Sequence, residues 1–198
     1  NPRGAVDPTP VIAMVGLIEG LEPVTSFFKK EGDVVILLGT NREELGGSEF
    51  LKTIFNTKSG KVPHLDLKEA KVLIDLMLKL SEKKLLKSAH DCAEGGLAVA
   101  LAESCVGVKG QEIGASVKVE AGNLSKEALL FGESQSRIVV SVDSANLAEA
   151  ESMIQSFAFA YQVIGKVSGR ELKINDWIQV PVPVLSHTWR NALTRRMS

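Results

Sequence analysis

Cysteine is scarce. Cys92 and Cys105 are the only two in 198 residues, too few for a disulfide framework and not spaced as a zinc site. With three histidines in the chain, the missing metal ligands are not made up from that side either. Both thiols read as small buried residues. Aromatic residues make up 5%, which argues against a stacking face for nucleic acid. No charge predominates: the formal net charge is −1, so no overall basic field draws the chain to nucleic acid or to an anionic membrane. No apolar run approaches the roughly 20 residues of a membrane span, and no secretory leader is visible. A Walker-type Gly-Lys-Ser/Thr sequence is also missing. The chain opens on Asn-Pro-Arg-Gly rather than Met, as expected of a fragment or a processed product.

What is there is an ordinary globular composition, 44% hydrophobic and 24% charged, long enough to bury a full core. Asn1 to Pro10 is rich in Pro and Gly and reads as a leading arm, residues 1–10; the domain proper is expected over 11–198. Val11 to Ile18 is apolar and β-branched, the pattern of a buried strand, and Val34 to Leu38 is a second such run. Asp66, with Glu69 three residues on, predicts a capped helix whose apolar face is Ala70, Leu73, Ile74, Met77 and Leu80. Strands are expected at Leu85 to Asp91, Ile113 to Val119, Arg137 to Val142 and Tyr161 to Val167. Helices are expected at Leu97 to Cys105, Lys126 to Phe131 and Leu147 to Phe157. Leu172 to Ile174 and Ile178 to Val184 read as short extended runs, the second marked as an edge or an exit segment by Pro181 and Pro183. His187 to Met197 reads as one terminal helix. Strands and helices interleave without the regularity of a doubly wound sheet. The expected class is α+β, a mixed sheet with helices packed on one face.

Three segments could carry chemistry. His90-Asp91-Cys92-Ala93-Glu94-Gly95-Gly96-Leu97 joins a strand to a helix. Unpaired amides at a helix start, with glycines that admit close approach, suit a phosphate; Asp91 and Glu94 beside it would then require Mg²⁺. The plainer alternative is a tight turn whose glycines relieve sterics. Phe131-Gly132-Glu133-Ser134-Gln135-Ser136-Arg137 precedes a strand, and Glu133, Gln135 and Arg137 would share a face if that strand began early. Its alternative is a polar loop with a capping Glu and a solvated Arg. Gly46-Gly47-Ser48-Glu49 is either an anion cradle or a helix start capped by Ser48. His64 and His187 read as isolated, His90 as a hydrogen-bonded structural residue, and Trp177 and Trp189 as packing residues.

Taken together and in order, these segments and Pro8-Thr9-Pro10-Val11-Ile12-Ala13-Met14-Val15-Gly16 resemble phosphoribosylformylglycinamidine synthase. The resemblance runs from the opening arm to at least Val142. It departs at Glu94, where Asp is usual, at Cys92, where Val is common, and at Ala13, where Gly is usual. The resemblance implies the C-terminal domain of the second of two aminoimidazole-ribonucleotide-synthetase-like halves, with Asn1 to Pro10 as the tail of the preceding domain. It implies an ATP- and Mg²⁺-dependent ligase of purine biosynthesis, cytoplasmic, that converts formylglycinamide ribonucleotide to the amidine with ammonia from a glutaminase subunit or domain. Its implied partners are the upstream domains of the same enzyme, with no nucleic acid and no membrane. The implied nucleotide or phosphate contacts are Asp91, Gly95, Gly96, Glu133, Ser134 and Gln135, with Asp91 as the metal ligand. No catalytic residue is implied, and the domain alone is expected to be inactive. The alternative is a structural or auxiliary nucleotide-binding module that supports the catalytic half and docks partner subunits.

Overall fold

In the computed structural model, which describes residues 11–20 and 22–197, Val34–Leu38 forms β1, buried along its whole length. Side chains alternate across a strand, so a strand buried at every position must be covered on both faces. Val35 and Leu37 join one apolar cluster, Val34, Ile36 and Leu38 the other. The first cluster is closed by α3 (Gly96–Val106), α4 (Lys126–Phe131) and the start of α6 (Val182–Arg190). The second is closed by α2 (Leu67–Glu82) and α5 (Leu147–Ser156). The α+β class and the mixed sheet are borne out. The helices, however, cover both faces rather than one, because β1 is apolar on both.

The other strands are β2 (Leu86–Asp91), β3 (Ala115–Val117), β4 (Ile138–Val142), β5 (Tyr161–Val167), β6 (Glu171–Ile174) and β7 (Ile178–Pro181). They form one seven-stranded sheet in the order β2-β4-β1-β5-β3-β6-β7. Only β3 and β6 run parallel; the other five pairings are antiparallel. Two short helices, α1 (Glu49–Phe55) and α7 (Ala192–Met197), and a single 3-10 turn, Ser144–Asn146, complete the elements among the described residues. None of the described helices is long and apolar enough to cross a membrane.

Local chemistry explains most boundaries. Asp66 caps α2 by accepting from the Lys68 and Glu69 amides at 2.8 and 3.1 Å. The Glu69 carboxylate is taken by Arg42 at 2.8 Å, an ion pair to a distant loop. The buried side of α2 is Leu73, Leu76 and Leu80; Ile74, expected on that side, is 57% exposed.

Three expectations are corrected. Val11 to Ile18 lies in no strand and has no place in the core: Val11, Ile12, Met14, Val15, Leu17 and Ile18 are 64–101% exposed. Apolar content alone cannot make a strand without a partner edge, and no described strand pairs with this run. The Ile178 to Val184 run leaves the edge strand after Pro181 and turns helical at Val182, with Pro183 in the first turn, where its missing N–H costs nothing. The terminal helix is two helices broken at Asn191. The arm Asn1 to Pro10 lies outside the described residues.

The burial pattern on α2 gives a direct test. Leu76→Ala should destabilise the domain by about 3 kcal/mol, whereas Ile74→Ala should change stability by less than about 0.5 kcal/mol. Urea denaturation curves of the two variants check this.

Candidate functional site

The glycine turns highlighted by the sequence come together, and the residue that joins them is Glu133. At the start of α1, Ser48 is the N-cap. Its hydroxyl accepts from the Leu51 amide at 3.3 Å and donates to the Leu45 carbonyl at 2.7 Å. At the start of α3 the cap is Gly95, which has no side chain to offer. A helix start leaves amides without partners. Here a single carboxylate oxygen, Glu133 Oε1, accepts from the Glu49 amide and from the Gly95 amide, both at 2.9 Å. The first link spans 84 residues of sequence and the second 38.

Arg137 fixes that carboxylate in place. Its side chain is buried at 3% exposure, not solvated. Nε donates to the Ser134 carbonyl at 3.0 Å, one terminal nitrogen to Asn41 Oδ1 at 2.9 Å, and the other to the Gly132 carbonyl. The guanidinium therefore holds the carbonyls on either side of Glu133. Burial works to lower the Arg137 pKa, while Glu44 and Glu133 nearby support the charge; an arginine keeps its proton regardless.

The glycines serve close approach. Gly95 and Gly96 take φ +80° and +68°, a region that L side chains rarely adopt. A Cβ on Gly96 would lie 2.5 Å from the Gly132 carbonyl oxygen, and one on Gly95 would lie 2.5 Å from Val99 Cγ2. The start of α3 thus rests against the end of α4. Phe131, the last residue of α4, stacks on Phe50 of α1 with ring centroids 5.2 Å apart.

Other carboxylates of the loop before α1 are spent in the same way. Glu43 accepts from the Ser125 amide at 2.9 Å and hydroxyl at 2.6 Å at the cap of α4, and those bonds hold its carboxyl below the ordinary range. Glu44 accepts from the His64 amide at 2.9 Å. Burial opposes its ionisation, but the His64 amide and the nearby Arg42 help to outweigh it and lower its pKa. Spacing gave no sign of Asn41, Arg42, Glu43 or Glu44, because each bonds to a residue far along the chain or to a loop with no pattern of its own.

Of the residues the sequence singled out, the structure brings together Gly95, Gly96 and Glu133. Ser134 is buried beneath them, at 2% exposure. Gln135 is exposed and its amide turns back to the Glu133 carbonyl at 3.3 Å. The strand begins only at Ile138, so Glu133, Gln135 and Arg137 do not share a face. Asp91 ends β2 with its side chain 72% exposed. His90 beside it bonds the Asp91 carbonyl through Nδ1 at 2.8 Å, and its Nε2 lies 3.1 Å from the Glu103 carboxylate. It is the structural residue expected. Among the described residues no three His, Cys, Asp or Glu side chains converge on one point; a Mg²⁺ held by Asp91 would need substrate oxygens and water for its other ligands. The turn does not fit a phosphate as it stands, since a carboxylate already holds the Glu49 and Gly95 amides. Burial pushes the Cys92 thiol up to about 11 and the Cys105 thiol up to about 12, which makes both poor nucleophiles. A broad groove on the bare part of the sheet, lined by Ser116, Lys118, Val163 and Lys166 among others, shares no residue with these turns.

Comparison with known proteins follows the same lines. The family described as AIR synthase related protein, C-terminal domain, matches residues 30–176. Phosphoribosylformylglycinamidine synthase subunit PurL of Thermoanaerobacter sp. strain X514 is 39% identical over 202 residues, covering 100% of this chain and 27% of that protein. The chain therefore spans about a quarter of that relative's length. Thermotoga maritima PurL complexed with ATP superposes with a TM-score of 0.62 at 22% identity, covering 82% of this chain and 27% of the other. The same protein complexed with FGAR gives a TM-score of 0.67 at 22% identity, covering 82% and 29%. At that identity these two establish the likeness of fold.

Two outcomes follow from the loop chemistry. Arg137→Lys should cost about 3 kcal/mol, because one ammonium cannot replace a planar fork on three acceptors and leaves buried carbonyls unpaired; chemical denaturation measures it. Glu43 and Glu44 give up their protons more readily folded than unfolded. Their contribution is therefore present at neutral pH and lost as pH falls through and below the ordinary glutamate value of 4.5. A series of melts from pH 7 to about pH 3 should show that loss, and Glu44→Gln should flatten it.

Proposed function

Since the chain belongs to the AIR synthase related C-terminal domain family, we propose that it is the C-terminal domain of a PurL-type phosphoribosylformylglycinamidine synthase. The enzyme is an ATP-dependent ligase that forms a C–N bond in purine biosynthesis. It converts formylglycinamide ribonucleotide and glutamine-derived ammonia to formylglycinamidine ribonucleotide, with ADP and phosphate as the other products. The observation that carries this reading is 39% identity maintained over 202 residues of a PurL subunit, across the whole of this chain. Solved PurL structures with ATP and with FGAR agree in fold and supply the substrate class.

Within that enzyme the domain supports catalysis rather than performing it. Phosphoryl transfer demands positioned metal and charge neutralisation at the phosphoryl oxygens, and the described residues offer no converging metal ligands. The nucleotide and Mg²⁺ sites are completed by other domains of the whole enzyme. Eight consecutive residues, Val11 to Ile18, carry six large apolar side chains 64–101% exposed. A run of that kind marks a contact with another part of the assembly, and the upstream domains of the same enzyme are its natural partner. A glutaminase subunit or domain supplies the ammonia, and the enzyme works in the cytoplasm.

The test is an exchange of parts. The 202 matching residues of Thermoanaerobacter PurL are replaced by this chain, and the hybrid is assayed with ATP, Mg²⁺, formylglycinamide ribonucleotide and ammonia. Restored amidine formation, with none from the 198-residue chain alone, is the expected result. A soluble, folded hybrid without turnover, or turnover by the isolated chain, would overturn the proposal.

A further inference from the structure

We infer that Glu133 is the resident anion of this domain, closing the junction of α1, α3 and α4 where a nucleotide phosphate would otherwise be sought. The inference rests on the geometry of this chain alone and not on which synthase the chain completes.

The two amides that face the junction, those of Glu49 and Gly95, are both bonded to one oxygen of Glu133. A phosphate bound to the same amides would have to displace that carboxylate or sit against it, and like charges repel at such range. Displacement is opposed on every side. Arg137 grips the Gly132 and Ser134 carbonyls that flank Glu133. The Gly132 amide is held by the Ala128 carbonyl at 2.9 Å, at the end of α4. Gly96 packs so closely on Gly132 that an added Cβ would come within 2.5 Å of its oxygen. The Ser134 side chain, next in sequence, is buried. Glu133 therefore starts from a pinned backbone and reaches the two amides without reorganisation.

The surroundings are richer in carboxylates than in cations. Glu43 and Glu44 lie on the loop before α1, Glu49 opens that helix, and Asp91 and Glu94 lie on the turn before α3. Three cations close at hand are committed, Arg42 to Glu69, Lys52 to Glu49 and Arg137 to its carbonyls; Lys61 lines the neighbouring groove beside Glu43 and Glu44. A group that carries its own negative charge in a fixed place serves the turns as a phosphate does elsewhere, joining two helix starts through their unpaired amides. Glu133 is thus a positioning residue, and what it positions is the mutual orientation of α1 and α3.

Chemical rescue tests this on the 198-residue chain. Removing the carboxylate in Glu133→Ala leaves two inward amides without an acceptor, and the melting temperature should fall by about 5 °C. Sodium formate, a free carboxylate small enough for the gap, should restore part of that loss relative to sodium chloride at equal ionic strength. The same salt should leave the wild type and Glu133→Gln, which keeps an acceptor oxygen, unmoved. Calorimetric titration of the wild type with ADP and Mg²⁺ should show no binding that depends on Glu133. If Glu133→Ala does not fold, Glu133→Asp, too short to serve both amides, takes its place in the formate series. Nucleotide binding by the wild type that is lost in the Glu133 variant would make Glu133 a ligand contact and overturn the inference. A folded variant indifferent to formate would overturn it as well.

Discussion

The buried guanidinium of Arg137 is the constraint on which the arrangement of loops depends. Burying a charge is costly unless every donor finds an acceptor, and Arg137 finds the Gly132 carbonyl, the Ser134 carbonyl and Asn41. Those acceptors come from two separate segments, so one side chain sets the path of the loop after α4 and ties it to the loop after β1. The carboxylate of Glu133 and the seat of Gly96 against Gly132 follow from that path. Had the loop run a single ångström differently, one oxygen could not have met two amides from helices so far apart in sequence.

Much of the fold was legible. β1, α4 and β5 begin and end at the residues expected from apolar runs and caps, because there local propensity and burial agree. Ile74 and the run at Val11 to Ile18 show the limit. Both are apolar, yet a helix has room for only part of its apolar stripe against one neighbour, and a strand needs a second backbone to pair with. Neither condition is written in the segment itself. The coverage of both sheet faces was hidden for a related reason: the continuous apolar run of β1 is compatible with one thick layer or two, and only the positions of α2 and α5 decide.

The site was legible as a set of segments and illegible as a geometry. The motifs named the residues that meet, Gly95, Gly96 and Glu133, and the alternative of a capping Glu before β4 proved apt. Nothing in the spacing said that the cap would serve helices 38 and 84 residues away. Arg137, read from its neighbours as either a member of a polar face or a solvated cation, is neither; a charged side chain in a polar stretch gives no sign of burial until its acceptors are seen. Asp91 and Gln135 sit in the same motifs and face water, which shows how loosely adjacency in sequence constrains direction in space.

The strand order carries a consequence for how such a chain reaches its native state. β1 lies between β4 and β5, so Val34 to Leu38 finds its partners only at Ile138 to Val142 and Tyr161 to Val167. A chain emerging from the ribosome must carry this interior strand unpaired while more than half of the remaining sequence is made. Closing such long loops before any contact rewards them slows folding and exposes a sticky edge. The early helix α2 can shelter one side of that strand during the wait; the other side has no cover until α3 and α4 have been synthesised. A domain built this way depends, in the cell, on the interval between the appearance of its first strand and the arrival of the residues from Ile138 onward.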